Sequence, residues 1–202
     1  MVWHFDHRFG TYEGQTEAQA NQGKLPELNN EQHAKPTFYT LPRYWVSTDD
    51  ASPHFSDRPS YLIGFRDVTS SVVLRTAIFT LVPLVPCGNK LPIAQPSSDC
   101  SHAQDFLASC CSSFVFDYVA RQKLGGANMN FFILKQLPVL PIDKFRFERF
   151  VEESQRWFRV RFLELYFTGW DMELYARDCG YDGPPFRWDE ERRFLLRCEL
   201  DA

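Results

Sequence analysis

Between Phe114 and Pro141 the chain reads FVFDYVARQKLGGANMNFFILKQLPVLP, an order that leaves few folds open. Phe106, Leu107, Cys110, Phe114, Asp117, Tyr118 and Arg121 recur at three- and four-residue intervals, which predicts one long helix over Ala103–Lys123. Gly125-Gly126 stop it, because glycine just past a last turn adopts helix-ending angles without a side-chain clash. A polar Ala127-Asn128-Met129-Asn130 link then leads into an apolar segment, read as a strand, which Pro138 and Pro141 close. A helix that turns this sharply into a strand sets its polar turn residues beside a sheet.

The neighbouring segments supply that sheet. Tyr61–Val68 and Thr76–Val85 are rich in β-branched and aromatic residues and flank the polar Thr69-Ser70-Ser71. Thr37–Val46 has strand composition broken by Pro42, which suits an edge strand. Gly10–Lys35 reads as extended or loop, with a short helical turn near Thr16–Gln22, and Thr48–Pro59 as a loop. Beyond Pro141 charged helices are expected over Phe145–Trp170, Met172–Cys179 and Asp189–Leu200, with Asp182-Gly183-Pro184-Pro185 as a break. The final residues carry no cap, the pattern of an excised fragment. The expected class is α/β (α+β): a small twisted sheet, one long helix and a helical C-terminal part. Three parts are expected, residues 1–36 as a linker segment, 37–142 as the central domain and 143–202 as the helical part.

Composition narrows the function. An apolar fraction of 44% with 19 Phe, 8 Tyr and 5 Trp can build a core, and no apolar run reaches the roughly 18 residues of a membrane span. The start has no basic-then-apolar order, so no secretory signal is expected. Six cysteines form no C-x-x-C pair, and with no export signal reduced thiols and a cytoplasmic location follow. A net charge of −4 argues against a generic nucleic-acid binder. Only residues 61–142 are net positive, with six Lys/Arg against four Asp/Glu, which permits a local DNA-facing surface.

Most chemical patterns fail on inspection. Amino-methyltransferases acting on DNA place Asn, Asp or Ser before Pro-Pro-aromatic to accept a hydrogen bond from the target amino group; here Gly183 holds that position. No glycine-rich loop follows a strand to cradle a methyl donor. His4, Asp6 and His7 could begin a metal site, yet His33, His54 and His102 stand apart from them, so no metal is expected. No Gly-x-Ser-x-Gly is present, and no catalytic residue is assigned. The binding candidates are Arg66, Thr69, Ser70, Ser71 and Arg75 around the first loop, and Arg121, Lys123, Asn128, Asn130 and Lys135 around the glycine turn. Arginine forks suit guanine edges and phosphates, hydroxyls suit phosphates, and asparagine presents the donor–acceptor pair that reads adenine. Each has a structural alternative: an Arg–Asp pair pinning the first loop, Arg121 and Lys123 complementing a helix dipole, and asparagines capping the turn.

Several stretches together resemble one family. WHFDHRFGTYEG (Trp3–Gly14) is similar to the junction after the catalytic domain of large bacterial restriction-modification methylases. PRYWV (Pro42–Val46) and FRDVTSSVVLRTAIFTLVP (Phe65–Pro83) resemble the first part of their recognition region, including an Arg-Thr kept as Arg75-Thr76. The Phe114–Pro141 segment is the strongest likeness, and YFTGWDMELYARDCGYDGPPFRWDEERRFLLRCELDA (Tyr166–Ala202) resembles the helical end. The likeness is to type IIG/IIL-like adenine-specific methylases, phage-defence methylases included, and runs nearly end to end. One departure is the turn itself, Ala127-Asn128-Met129-Asn130, where relatives often show Thr-His-Leu-Asn. The resemblance implies a target recognition domain for double-stranded DNA, with S-adenosylmethionine held by a methyltransferase domain in cis and not by this chain. The alternative is an interaction module that docks onto other defence-system proteins without touching DNA.

Overall fold

The computed structural model describes residues 1–55, 59–95, 103–140 and 151–201. It is a mixed α/β structure built on a two-stranded antiparallel sheet, β1 (Tyr61–Phe65) and β2 (Phe79–Pro83), in register from Tyr61↔Pro83 to Phe65↔Phe79. Alternation sorts the side chains to two faces. Tyr61, Ile63, Phe65, Phe79 and Leu81 enter the main core, whereas Leu62 and Val82 join Val2 in a smaller cluster on the other face. The backbone of residues 90–94 runs along the free edge of β1, with Phe65 donating to Pro92 and Ala94 donating to Ile63. Gly64 leaves room for Leu91, whose Cδ1 would lie 3.0 Å from a Cβ added there.

Short capped helices occupy the N-terminal third. They are α1 (Glu17–Asn21), α2 (Asn30–His33) and α3 (Thr48–Ala51), capped by Thr16, Asn29 and Ser47. The helical turn near Thr16–Gln22 is therefore present, while Thr48–Pro59 begins with a helix instead of a loop. Thr37–Val46 forms no strand; Leu41 is held by residues 11 and 12 through isolated hydrogen bonds.

The long helix is two helices. α4 (Ala103–Ser112) ends where the Ser113 hydroxyl donates to the Cys110 carbonyl and accepts from the Phe116 amide, starting α5 (Phe114–Lys123). An N-cap inside the periodic pattern resets the axis, so Phe114 and Tyr118 face out while Phe116, Asp117 and Ala120 face in. The apolar segment after the glycines is not a strand either. Asn130 caps a single turn, α6 (Phe131–Leu134), and the closing Pro141 lies outside the described residues. The C-terminal helices are α7 (Val151–Tyr166), α8 (Glu173–Asp178) and α9 (Glu190–Asp201); the expected helix start at Phe145 also lies outside the described residues. α7 packs against α4 and α9, and α4 packs against β2.

One buried cluster contains residues from the N-terminal, central and C-terminal stretches, from Phe5 through Phe79 and Phe116 to Phe162, Tyr166 and Leu196. Aromatic edges and faces join it: Phe5 lies 5.5 Å from Tyr166, Tyr61 4.7 Å from Tyr175, and Phe79 5.7 Å from Phe116. Such pairs add about 0.5–1.5 kcal/mol each beyond burial.

A buried polar knot fastens the chain start to the chain end. Arg8, fully buried, donates to the carbonyls of His33, Lys35, Phe38 and Thr168 and to the Thr168 hydroxyl, at 2.9–3.3 Å. A Cβ on Gly169 would stand 3.2 Å from the Arg8 guanidinium carbon, so glycine allows that approach. Asp6 accepts from the Arg8 amide and pairs with His33, and His7 pairs with Asp171 at 2.8 Å. From α9, buried Arg193 donates to the carbonyls of Leu165 and Phe5 and lies 3.7 Å over the Trp188 ring, which stacks on His33. Phe5 holds φ at 59°, a left-handed backbone that costs a bulky residue about 1–2 kcal/mol. The Arg193 bond and the buried ring offset that cost. His4, Asp6, His7 and His33 thus serve packing, and among the described residues no group of acids, histidines and cysteines is placed to hold a metal ion.

The knot sets the acid response. Burial, aided by Arg75 and Arg197, holds the His4 imidazole well below its ordinary 6.5. The unfolded chain therefore takes that proton first, and stability falls as pH drops below 6.5. Burial would raise Asp6, but the His33 hydrogen bond and nearby positive charges outweigh it and hold the carboxyl below 3.8. Asp171 is also lowered, burial being outweighed by His7 and Arg8. Both carboxylates contribute above 3.8 and are lost below it. Thermal midpoints across pH should decline in two stages, and His4→Leu should abolish the upper stage while leaving the lower.

Candidate nucleic-acid interface

The loop leaving β1 and the glycine turn leaving α5, some sixty residues apart in sequence, form one edge. Thr69 donates its amide to Ala127, Met129 donates to the Asp67 carbonyl, and Val68 bridges to Asn128. The Asp67 carboxylate joins the two segments again, accepting from Asn128 Nδ2 at 2.8 Å and Lys90 Nζ at 2.7 Å. Lys90 is the member that sequence reasoning missed; it sits on the strand-edge segment 90–94, and nothing local in the sequence pairs it with Asp67.

The first loop is clamped from beneath by α5. Buried Asp117 accepts from the amides of Thr76 and Ala77, both at 2.7 Å, and pairs with Arg121 at 3.3 Å. Arg121 donates to the carbonyls of Ser71, Val73 and Leu74. Arg75 is buried, donates to the Ser112 carbonyl and lies over the Phe114 ring at 4.8 Å. Burial holds its guanidinium below the ordinary arginine value, with Asp117 opposing that shift. Thr69 is buried and donates to the Thr76 carbonyl, while Thr76 donates to Ser70.

The ten expected contact residues therefore divide. Arg75, Thr69 and most of the Arg121 guanidinium are committed to holding the loop. Asn130 is committed to capping α6, accepting from Ile133 at 3.0 Å. Asn128 is exposed but bonded to Asp67. Arg66 is half-buried near the Met1 amino group and Glu27, and burial holds its guanidinium below the ordinary arginine value. Ser70 and Ser71 are half-exposed, and Lys123 and Lys135 are exposed with no ion pair among the described residues. What the loop turns outward is apolar: Val72 is 88% exposed and Leu74 83%.

Burial pushes the Cys87 thiol up to about 11 and Cys179 up to about 12, and raises Cys110 and Cys111 as well. Gly183 of the Pro-Pro segment sits under Tyr181, whose ring a Cβ would overlap; Tyr181 stacks on Phe186 and donates to the Pro184 carbonyl. The segment is a packed turn. Comparison with protein-family models, curated proteins and solved structures finds no match.

Asp117 is the keystone of this edge. Asp117→Ala strands Arg75 and two amides, and should cost about 3–5 kcal/mol in denaturant unfolding. Amide exchange across residues 70–77 should accelerate beyond the rest of the molecule, which would separate loop release from general loss of stability.

Proposed function

We propose that this chain is a duplex-DNA recognition unit, the target recognition part of an adenine-specific methylase of a restriction-modification or phage-defence system. The observation that carries the reading is the composite edge. Two loops from distant parts of the chain are stitched side by side; they carry half-exposed Ser70 and Ser71 and exposed Asn128, and the segments next to them carry exposed Lys90, Lys123 and Lys135. Ammonium groups there suit phosphates, which supply most DNA affinity, while Ser70, Ser71 and Asn128 stand where a base edge or sugar would lie. Arg66, named with this surface by sequence, takes no part in it.

On this reading the chain reads and does not catalyse. S-adenosylmethionine would be bound by a methyltransferase domain of the parent protein; among the described residues no strand leads into a glycine-rich turn fit to hold it. The parent would extrude the target adenine, whose amino group is unreachable inside the stack. A cytoplasmic setting accords with DNA as partner and with free thiols; among the described residues no helix is long and apolar enough to cross a membrane.

A second reading has its own observation. Phe114, Val115 and Tyr118 leave a broad apolar face of α5 in solvent, each more than 60% exposed. That face fits docking onto a protein, either the catalytic domain in cis or another defence component.

Salt dependence separates the two. Each phosphate contact contributes about 0.9 to the slope of log affinity against log salt. Lys123→Gln with Lys135→Gln should flatten the slope for duplex DNA by up to about two units without altering the thermal midpoint. An unchanged slope and affinity would move the assignment to the protein-docking reading.

A further inference from the structure

We infer that the Val72–Leu74 tip is a wedge that enters the base stack of duplex DNA; the inference rests on the DNA-recognition reading above. Exposed apolar side chains on a loose loop fold back or collapse onto the body. Here they do neither. Val72 and Leu74 keep 88% and 83% of their surface in solvent, so they project from the molecule and do not line a groove.

The loop beneath them is fixed at both ends and in the middle. Arg121 holds the carbonyls of Ser71, Val73 and Leu74; Thr69 and Thr76 cross-bond its base; Ser70 Oγ accepts from the Val72 amide. Asp117 anchors the exit at Thr76 and Ala77. A guanidinium bonded to three carbonyls stiffens a turn whose most exposed side chains are the aliphatic Val72 and Leu74. Stiffness is what a wedge requires, because a mobile apolar tip would give up the energy of insertion in ordering itself.

The surroundings favour a nucleic-acid stack over a protein surface. Half-exposed Ser70 and Ser71 precede the tip, and Lys90 and Lys123 belong to the elements bonded to the same loop. An aliphatic tip beside hydroxyls and cations matches the side chains that part base steps while neighbouring groups grip phosphates. In a protein that presents one adenine for extrusion, such a tip would hold open the step that the base has left.

The test uses the whole chain and two short duplexes at low ionic strength, one fully paired and one carrying a central abasic site, read by fluorescence anisotropy. Parting the stack is costly in paired DNA and nearly free at an abasic site, so a wedge should favour the abasic duplex by about tenfold or more. Val72→Ser with Leu74→Ser, both at exposed positions, should abolish that preference and leave the salt slope unchanged. Salt-dependent binding with no preference, or a preference that survives in the double variant, would overturn the wedge and leave the DNA reading standing. Absence of salt-dependent binding to either duplex would overturn both and leave the tip as part of a protein-docking face.

Discussion

Everything in this molecule depends on a guanidinium that water never reaches. Arg8 spends its two terminal nitrogens on four carbonyls and a hydroxyl, drawn from α2, from the segment after it and from the Thr168 turn. Lysine has no planar fork to span those acceptors, and a neutral side chain would leave several carbonyls unpaired in the interior. Two carboxylates, two histidines and a second arginine on α9 are arranged around it. Removing one member of such a network costs about 3–5 kcal/mol, a large share of a small domain's stability.

That knot explains why a strained phenylalanine is tolerated at position 5 and why the first residues belong to the core. Phe5 delivers its ring to Phe162 and Tyr166 and its carbonyl to Arg193. Its amide leans on Phe79 of β2, so the sheet is positioned by the N-terminal segment on one side and by α4 on the other. The composite edge then grows from the ends of β1 and α5. Asp117 and Arg121 hold it from underneath; of the two, Arg121 was expected at the partner and is found bonded to loop carbonyls. Arg8, Arg75, Arg121 and Arg193 hold backbone carbonyls, Lys90 pairs with Asp67, and Lys123 and Lys135 stand exposed.

The sequence made some of this visible and concealed the rest for definable reasons. Both strands and the helix near Thr16 follow from composition and local caps, and they stand with trimmed ends; α5 does stop before Gly125, yet an extended Leu124 ends it and neither glycine takes a left-handed backbone. The break at Ser113 was hidden because Phe114, Tyr118 and Arg121 continue the spacing of α4 through a serine that caps instead of packing. Asn130 likewise turned an apolar run into a helical turn, since a cap followed by Phe-Phe-Ile-Leu satisfies the helix start without any strand partner. Which candidate cations were free was not legible at all. Arg75 and Asp117 are far apart in sequence, and Lys90 meets Asp67 only after the strand edge forms. The knot was equally hidden: His33 looks isolated until folding brings Asp6 beside it and Trp188 over it.

On the proposed reading the two stitched loops are the surface that meets DNA. Amide chemical-shift mapping of the isotopically labelled chain, titrated with a short duplex, examines it residue by residue. The account predicts that shifts concentrate in residues 67–75 and 123–135, with Lys90 among them, and that the amides of the knot around Arg8 stay in place. Shifts confined to the outer face of α5 or to the C-terminal helices, or none at all on adding duplex, would contradict it.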